Sequence, residues 1–159
     1  MLSSPILLLS VLALVVLANA APVLAHLVLG PRLDRPVDGS RRFVDGRPML
    51  GPSKRVRGIV VAVLLCAPVA ELIGVGWHLG LLIAVAGMAG DLLSSFVKRR
   101  LGRPPHTRAP LLDELPEVLL PVGAVAVPLG LSWLDGIAIV LGFALIHALL
   151  GPIAARLGG

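Results

Sequence analysis

The chain has 159 residues, of which 57% are hydrophobic, 14% charged and 3% aromatic, with no tyrosine, one cysteine and a net charge of +5. Soluble domains carry about 25% charged residues, so this composition excludes an ordinary water-soluble enzyme and a disordered tail. The lone Cys66 excludes an internal disulfide or a cysteine-based zinc site, and its apolar neighbours make it a small packing residue.

The first apolar run, Ile6–Leu29, has 24 residues, about 36 Å as a helix and therefore one crossing of a ~30 Å hydrocarbon core. Ala18-Asn19-Ala20 before Ala21 has the form of a signal-peptidase site. No Lys or Arg precedes the apolar core, however, and the run continues to Leu29, so it is read as a retained span. Eight of the fourteen Lys and Arg residues then lie between Arg32 and Arg57. The second run, Gly58–Val97, has 40 residues, about 60 Å and too long for one crossing. Gly74-Val75-Gly76-Trp77-His78 divides it. Five more cations lie between Lys98 and Arg108, and Arg156 is the last. The third run, Leu115–Leu157, is again two spans long and breaks at Gly130-Leu131-Ser132-Trp133-Leu134-Asp135-Gly136.

The expected fold is all-α: a polytopic membrane protein of five transmembrane helices forming one membrane domain over residues 1–159. Basic residues concentrate in cytoplasmic loops. Loops of about 30–57 and 98–112 are therefore expected in the cytosol, with the N-terminus outside and the C-terminus inside. Basic loops in such a chain set topology or contact anionic lipid, and nucleic acid is not an expected partner.

Polar residues within the spans carry the chemistry. Asp91 lies seven residues before Lys98, about 10 Å inside the cytosolic end of its helix. A carboxylate there is costly and usually faces a partner or a cavity. Positions 91, 95 and 98 follow i, i+4, i+7 spacing, which puts Asp91, Ser95 and Lys98 on one face with Ser94 alongside. Such a strip suits a hard cation and the phosphates it carries, or else a helix-end salt bridge. Asn19 is a second intramembrane polar group, often a hydrogen-bonding link between helices. His26, His78 and His147 have no ligand spacing, Glu71 is expected at the outer interface, and Asp135 in the outer turn. Asp113, Glu114 and Glu117 crowd the cytosolic start of the fourth span, where Pro116 fits a first-turn position and acids favour the helix dipole. Asp113 and Glu114 would stand level with the strip on the third span. Gly51-Pro52-Ser53-Lys54-Arg55-Val56-Arg57-Gly58 is not a Walker A loop. Lys54 and Lys98 are the only lysines among fourteen cations, which suggests that a compact point charge matters at both places.

In order along the chain, Ala18-Asn19-Ala20-Ala21-Pro22-Val23, Arg42-Phe43-Val44-Asp45-Gly46-Arg47, the Gly51–Gly58 segment, Gly90-Asp91-Leu92-Leu93-Ser94-Ser95-Phe96-Val97-Lys98-Arg99-Arg100-Leu101-Gly102 and Leu112-Asp113-Glu114-Leu115 together resemble the CDP-archaeol synthase family. These are small membrane cytidylyltransferases related to CDP-diacylglycerol synthases. The resemblance implies that CTP and a phosphatidate-like lipid give a CDP-activated lipid and pyrophosphate, with Mg²⁺ required. It implies Asp91, Asp113 and Glu114 as metal ligands, Lys54, Arg57, Ser95, Lys98 and Arg99 as catalytic groups, and Asn19 and Ser94 as substrate contacts. CDP-alcohol phosphotransferases fit less well, because their Asp-Gly-x-x-Ala-Arg signature is absent.

The chain departs from the family in two motifs. Arg55 and Val56 replace a Thr and an aromatic residue in the basic loop. The acidic motif Asp-Gln-Leu-Asp reads Asp113-Glu114-Leu115-Pro116, so its second aspartate is missing; Glu114 and Glu117 are the acids near enough to replace it. The competing expectation is a catalytically lapsed relative that binds anionic lipid or a membrane partner. A small transporter is disfavoured by the lack of an internal repeat.

Overall fold

We describe the chain from a computed structural model that covers residues 3–104, 107 and 109–157, the side chains of 110 and 150–157 apart. Arg108 and the side chain of Arg156 lie outside the described residues. Five helices follow in order: α1 (Pro5–Leu29), α2 (Val56–Leu72), α3 (Trp77–Arg100), α4 (Pro110–Ala126) and α5 (Trp133–Leu157). The described residues contain no strand; two isolated bridges, Pro36 with Arg55 and Arg42 with Pro48, brace the 30–55 loop. α1 and α3 are long and apolar enough to cross a membrane.

Both interruptions expected within the long apolar runs are short turns. The N–H of Val75 reaches the Ala70 carbonyl at 2.9 Å and that of Gly74 reaches Glu71 at 3.1 Å. Leu131 and Gly130 repeat the pattern on Ala126 and Val127 at 2.8 and 3.1 Å. This paired closure needs a left-handed residue just past the helix, supplied by Gly74 (φ +77°) and Gly130 (φ +62°). Glu71 is more than an interfacial acid, because its carboxylate accepts the Trp77 N–H at 2.8 Å and caps the start of α3.

One expectation needs correction. The fourth helix begins at Pro110, before Leu115. Pro110 lies in the first turn, where a missing N–H is harmless, and the Asp113 carboxylate accepts the Ala109 N–H at 3.0 Å. Pro116 is therefore interior to α4, and α3 runs on through Arg100, so the connection between them shortens to 101–109. Asp135, expected in the outer turn, lies there in the first turn of α5. It is fully buried and accepts Ser3 N and Oγ at 2.9 and 2.7 Å and Ser132 N and Oγ at 2.8 Å each. The box that caps α5 thus also ties down the start of α1.

Packing divides into two levels. Towards the end bearing the short turns, Leu14 and Val15 of α1 meet Ile83 of α3, Val122 of α4 and Ile139 and Phe143 of α5. Towards the end bearing the 30–55 and 101–109 loops, Ala18 and Ala21 meet Ala62 and Cys66 of α2 and Ala84 and Met88 of α3. Small residues let helix backbones approach closely. Gly90 takes this furthest: a Cβ there would collide with the Pro116 carbonyl of α4. Ala18 and Ala21 are fully buried, so the first apolar run is an integral member of the bundle.

Candidate active site

The polar groups of the spans converge at the loop end. The Lys54 ammonium, just before α2, forms an ion pair with Asp91 of α3. The other lysine, Lys98, pairs with Asp113 of α4 at 2.6 Å. Asp91 and Asp113 thus each hold one of the two lysines. The expected strip is rearranged accordingly: Lys98 turns to α4, and Asp91 takes its cation from the loop.

Glu117 completes the group. Because Gly90 brings α3 against the Pro116–Glu117 backbone, the Glu117 carboxyl lies near Asp91, with Lys54 and Asp113 also close enough to act on it. Two carboxylates at that range repel unless a cation or proton lies between them. At about 100° per residue, position 117 lies about 40° round the helix from 113, whereas position 116 lies about 60° away on the other side. An acid one place late therefore still shares the face of Asp113. Glu114 points elsewhere: its Oε1 meets His147 Nδ1 of α5 at 2.9 Å, and Phe143 stacks on that imidazole at 5.9 Å.

Beside the Lys54–Asp91 pair lies a cavity of 320 Å³, walled by Pro22 and His26 of α1, Lys54 and Arg57 at the start of α2, and Met88 and Asp91 of α3. Its rim is cationic and its inner wall apolar. Arg57 is fixed from three directions: it donates to the Gly30 carbonyl, pairs with Asp34 at 3.1 Å and meets His26 Nδ1 at 3.0 Å. The cavity gathers Lys54, Arg57 and Asp91. It does not include Lys98, Arg99, Ser94, Ser95, Asp113, Glu114 or Asn19 in its lining.

Those residues have identifiable positions. Arg99 is buried; it donates to the Pro104 carbonyl at 3.1 Å and lies under Gly51 and near Asp113. Ser94 and Ser95 are buried, and Ser94 Oγ donates to the Asp91 carbonyl at 2.9 Å. Asn19 donates to Val15 of its own helix at 2.9 Å, so this bond ties it within α1, one turn below the cavity wall. Glu117 is the acid sequence reasoning left outside its ligand set. Its signal was the i+4 spacing from Asp113; the Gly90 contact that makes it count is tertiary.

The donor set is carboxylate oxygen. Among the described residues no three His, Cys, Asp or Glu groups form a ready-made metal cage. One or two carboxylates completed by substrate phosphate and water are what Mg²⁺ ordinarily takes, and Asp91 with either Glu117 or Asp113 fits that requirement.

Residues 69–158 match the family described as CarS-like CDP-archaeol synthase. The chain belongs to the CDP-archaeol synthase family. The CDP-archaeol synthase of Aeropyrum pernix is 37% identical over 129 residues, covering 77% of this chain and 70% of that protein. That of Sulfurisphaera tokodaii is 33% identical over 77% of each chain. The Hyperthermus butylicus member is 38% identical over 67% of this chain, which spans 65% of that relative's length. A solved structure described as an intramembrane enzyme for archaeal membrane lipid biosynthesis matches with a TM-score of 0.72 at 29% identity, covering 89% of this chain and 90% of the other. Family membership, this intramembrane neighbour and the apolar α1 and α3 make the chain a membrane protein.

Proposed function

We propose that this family member is a CTP-dependent cytidylyltransferase that activates a phosphatidate-like glycerolipid. The observation that carries the reading is the pairing of both lysines with Asp91 and Asp113 across three segments, beside a cavity with a cationic rim and an apolar wall. The family relationship and the retained Lys54, Asp91, Lys98 and Asp113 favour the enzyme over a lapsed relative.

A phosphate oxygen of the lipid attacks the α-phosphorus of CTP. The new P–O bond forms as the bond to the bridging oxygen of the β-phosphate breaks, and pyrophosphate leaves. The attacking phosphate is already ionised, so the protein's work is positioning and charge stabilisation. Lys54 and Arg57 at the cavity rim receive phosphate oxygens. Lys98 and Arg99 supply positive charge on the α4 side, and Ser94 and Ser95, buried on α3, support the Asp91 turn, Ser94 through its bond to the Asp91 carbonyl. Asn19 lies below as a contact for the lipid headgroup. Asp91 with Asp113 or Glu117 would hold Mg²⁺, Glu117 standing in place of the missing aspartate and Glu114 being engaged by His147. Bound there, the ion would neutralise triphosphate charge and orient it. The apolar wall of Pro22, Val23 and Met88 suits the glycerolipid's first methylenes, so the lipid arrives from the side and CTP from water.

In the membrane we place all five helices as crossings, with the loop end and the site facing the cytosol. Every described Lys and Arg then lies at the cytosolic end.

The test is incubation of purified protein with radiolabelled CTP, Mg²⁺ and a panel of ester- and ether-linked phosphatidate analogues. A labelled CDP-lipid with equimolar pyrophosphate is the expected result. Binding of lipid without product would establish the lapsed relative.

A further inference from the structure

The Arg42–Arg47 segment has no part in the chemistry above, yet it is the most heavily tied element of the 30–55 loop. The Arg100 guanidinium, at the last residue of α3, lies over two rings, 4.7 Å from the centroid of Phe43 in the loop and 5.0 Å from that of Phe96 on α3. The rings meet edge to face at 5.2 Å. Arg100 also pairs with Asp45 at 2.6 Å and donates to the Pro48 carbonyl at 2.6 Å. Arg47 returns the grip, donating to the Arg100 carbonyl at 2.6 Å. Its guanidinium stands so close over Gly102 that a Cβ there would meet it at 3.3 Å.

Beyond this clamp the loop carries its own order to Lys54. Asp38 accepts the N–H groups of Ser40 and Leu50 at 2.9 Å each. The Lys54 carbonyl accepts Val37 N–H, and Val56 N–H reaches the Arg35 carbonyl, both at 2.9 Å. Lys54 then closes a ring of contacts by pairing with Asp91, nine residues before Arg100 on α3. α2 fixes one side of Lys54, and the clamp fixes the loop on its other side.

We infer that Arg100 is a positioning residue: by gripping Phe43, Asp45 and Pro48 against the end of α3, it holds the loop so that Lys54 stands over Asp91. The inference rests on the cytidylyltransferase reading for its kinetic consequence only. Arg100 acts through the loop, since its two terminal NH groups are taken up by a carboxylate and backbone carbonyls against two ring faces and its Nε is buried. Lysine is a poor substitute, because an ammonium cannot lie flat on two rings and fork to two acceptors.

Two measurements on the full chain in detergent or nanodiscs test it. The first is amide hydrogen exchange. Arg100→Ala and Phe43→Leu should each speed exchange at Leu50, Lys54 and Val56 by roughly tenfold or more, leaving α4 and α5 unchanged. Unaltered exchange at Lys54 and Val56 overturns the inference, whether or not the protein turns over CTP. The second is kinetic. Arg100→Lys, Phe43→Leu and Asp45→Asn should each raise the KM for CTP by about tenfold, as expected for misplacing one charged phosphate contact. In a Lys54→Gln background the same changes should add nothing. A fall in kcat at unchanged KM would mean a merely structural role. Loss of CTP affinity in Arg100 variants with normal Phe43→Leu and Asp45→Asn would mean that Arg100 touches CTP itself; either result overturns the positioning role. If the parent makes no CDP-lipid, the functional reading fails, and the exchange measurement still decides the clamp.

Discussion

Lys98 Nζ stands 2.6 Å from the Asp113 carboxylate, joining the last turn of α3 to the first turn of α4. With the Lys54–Asp91 pair, it neutralises two partly buried carboxylates with the chain's only two lysines. A compact ammonium on a flexible stem can leave a carboxylate for a phosphate, whereas a bidentate arginine is harder to displace. That property suits a site whose carboxylates accept a metal as its cations accept phosphate.

Asp91→Asn should abolish Mg²⁺-dependent CTP turnover while the protein still inserts. Asp91 pairs with Lys54 and lies near Glu117, and the amide keeps the shape without the charge. Asp135→Asn should leave turnover intact. It should lower the melting temperature, because the buried carboxylate accepts four hydrogen bonds at the opposite end and an orphaned buried donor costs about 1–3 kcal/mol. Turnover by Asp91→Asn equal to the parent's would make Asp91 structural.

Lys54→Gln should raise the CTP or lipid requirement and slow transfer. A lost charged hydrogen bond of about 1.5–3 kcal/mol corresponds to roughly ten- to a hundredfold. Lys54→Arg should also perform poorly, since the larger planar guanidinium does not fit a point-charge site. Steady-state kinetics with insertion verified is the measurement, and full turnover by Lys54→Gln would remove the loop from the site.

Glu117 and Glu114 should separate cleanly. Glu117→Gln is expected to cost about a hundredfold or more in turnover, the scale of removing one electrostatic group from a preorganised site, and to weaken the response to Mg²⁺. Glu114→Gln, the residue the family uses there, should stay within a few-fold, because its partner is His147. The reverse ranking would return the second acidic role to Glu114.

Gly90→Ala should destabilise the fold by about 1–3 kcal/mol through overpacking, because its Cβ would strike the Pro116 carbonyl. It should also reduce turnover by pushing Glu117 away from Asp91. Gly123→Ala on α4, where nothing lies within 4 Å, is the control and should be neutral or slightly stabilising. Thermal unfolding of both variants checks this, and a stable, active Gly90→Ala would refute the close α3–α4 contact.

Reporter fusions test orientation. Fusions after Gly39 and after Arg103 should report cytosol and one at Ser132 the outside, since the Lys and Arg residues avoid the short-turn end. A periplasmic or external signal from either loop overturns the arrangement.

Composition, charge placement and apolar run length determined the helix count, the two turns at Gly74 and Gly130, and the candidates Asp91, Lys54, Lys98 and Asp113. Those properties are local: a span is set by 17 or more apolar residues and a turn by a glycine that tolerates positive φ. Partners were not legible in the same way. Helical periodicity places Asp91 and Lys98 on one face, but it cannot say that Lys54, 37 residues earlier, would take Asp91 while Lys98 crosses to Asp113. The choice between Glu114 and Glu117 also depended on tertiary structure, because one faces His147 and the other is carried to Asp91 by a glycine on a different helix. Which carboxylate meets which cation is decided by helix packing in three dimensions, since Coulomb attraction and hydrogen bonding act over a few ångströms of space whatever the distance along the chain.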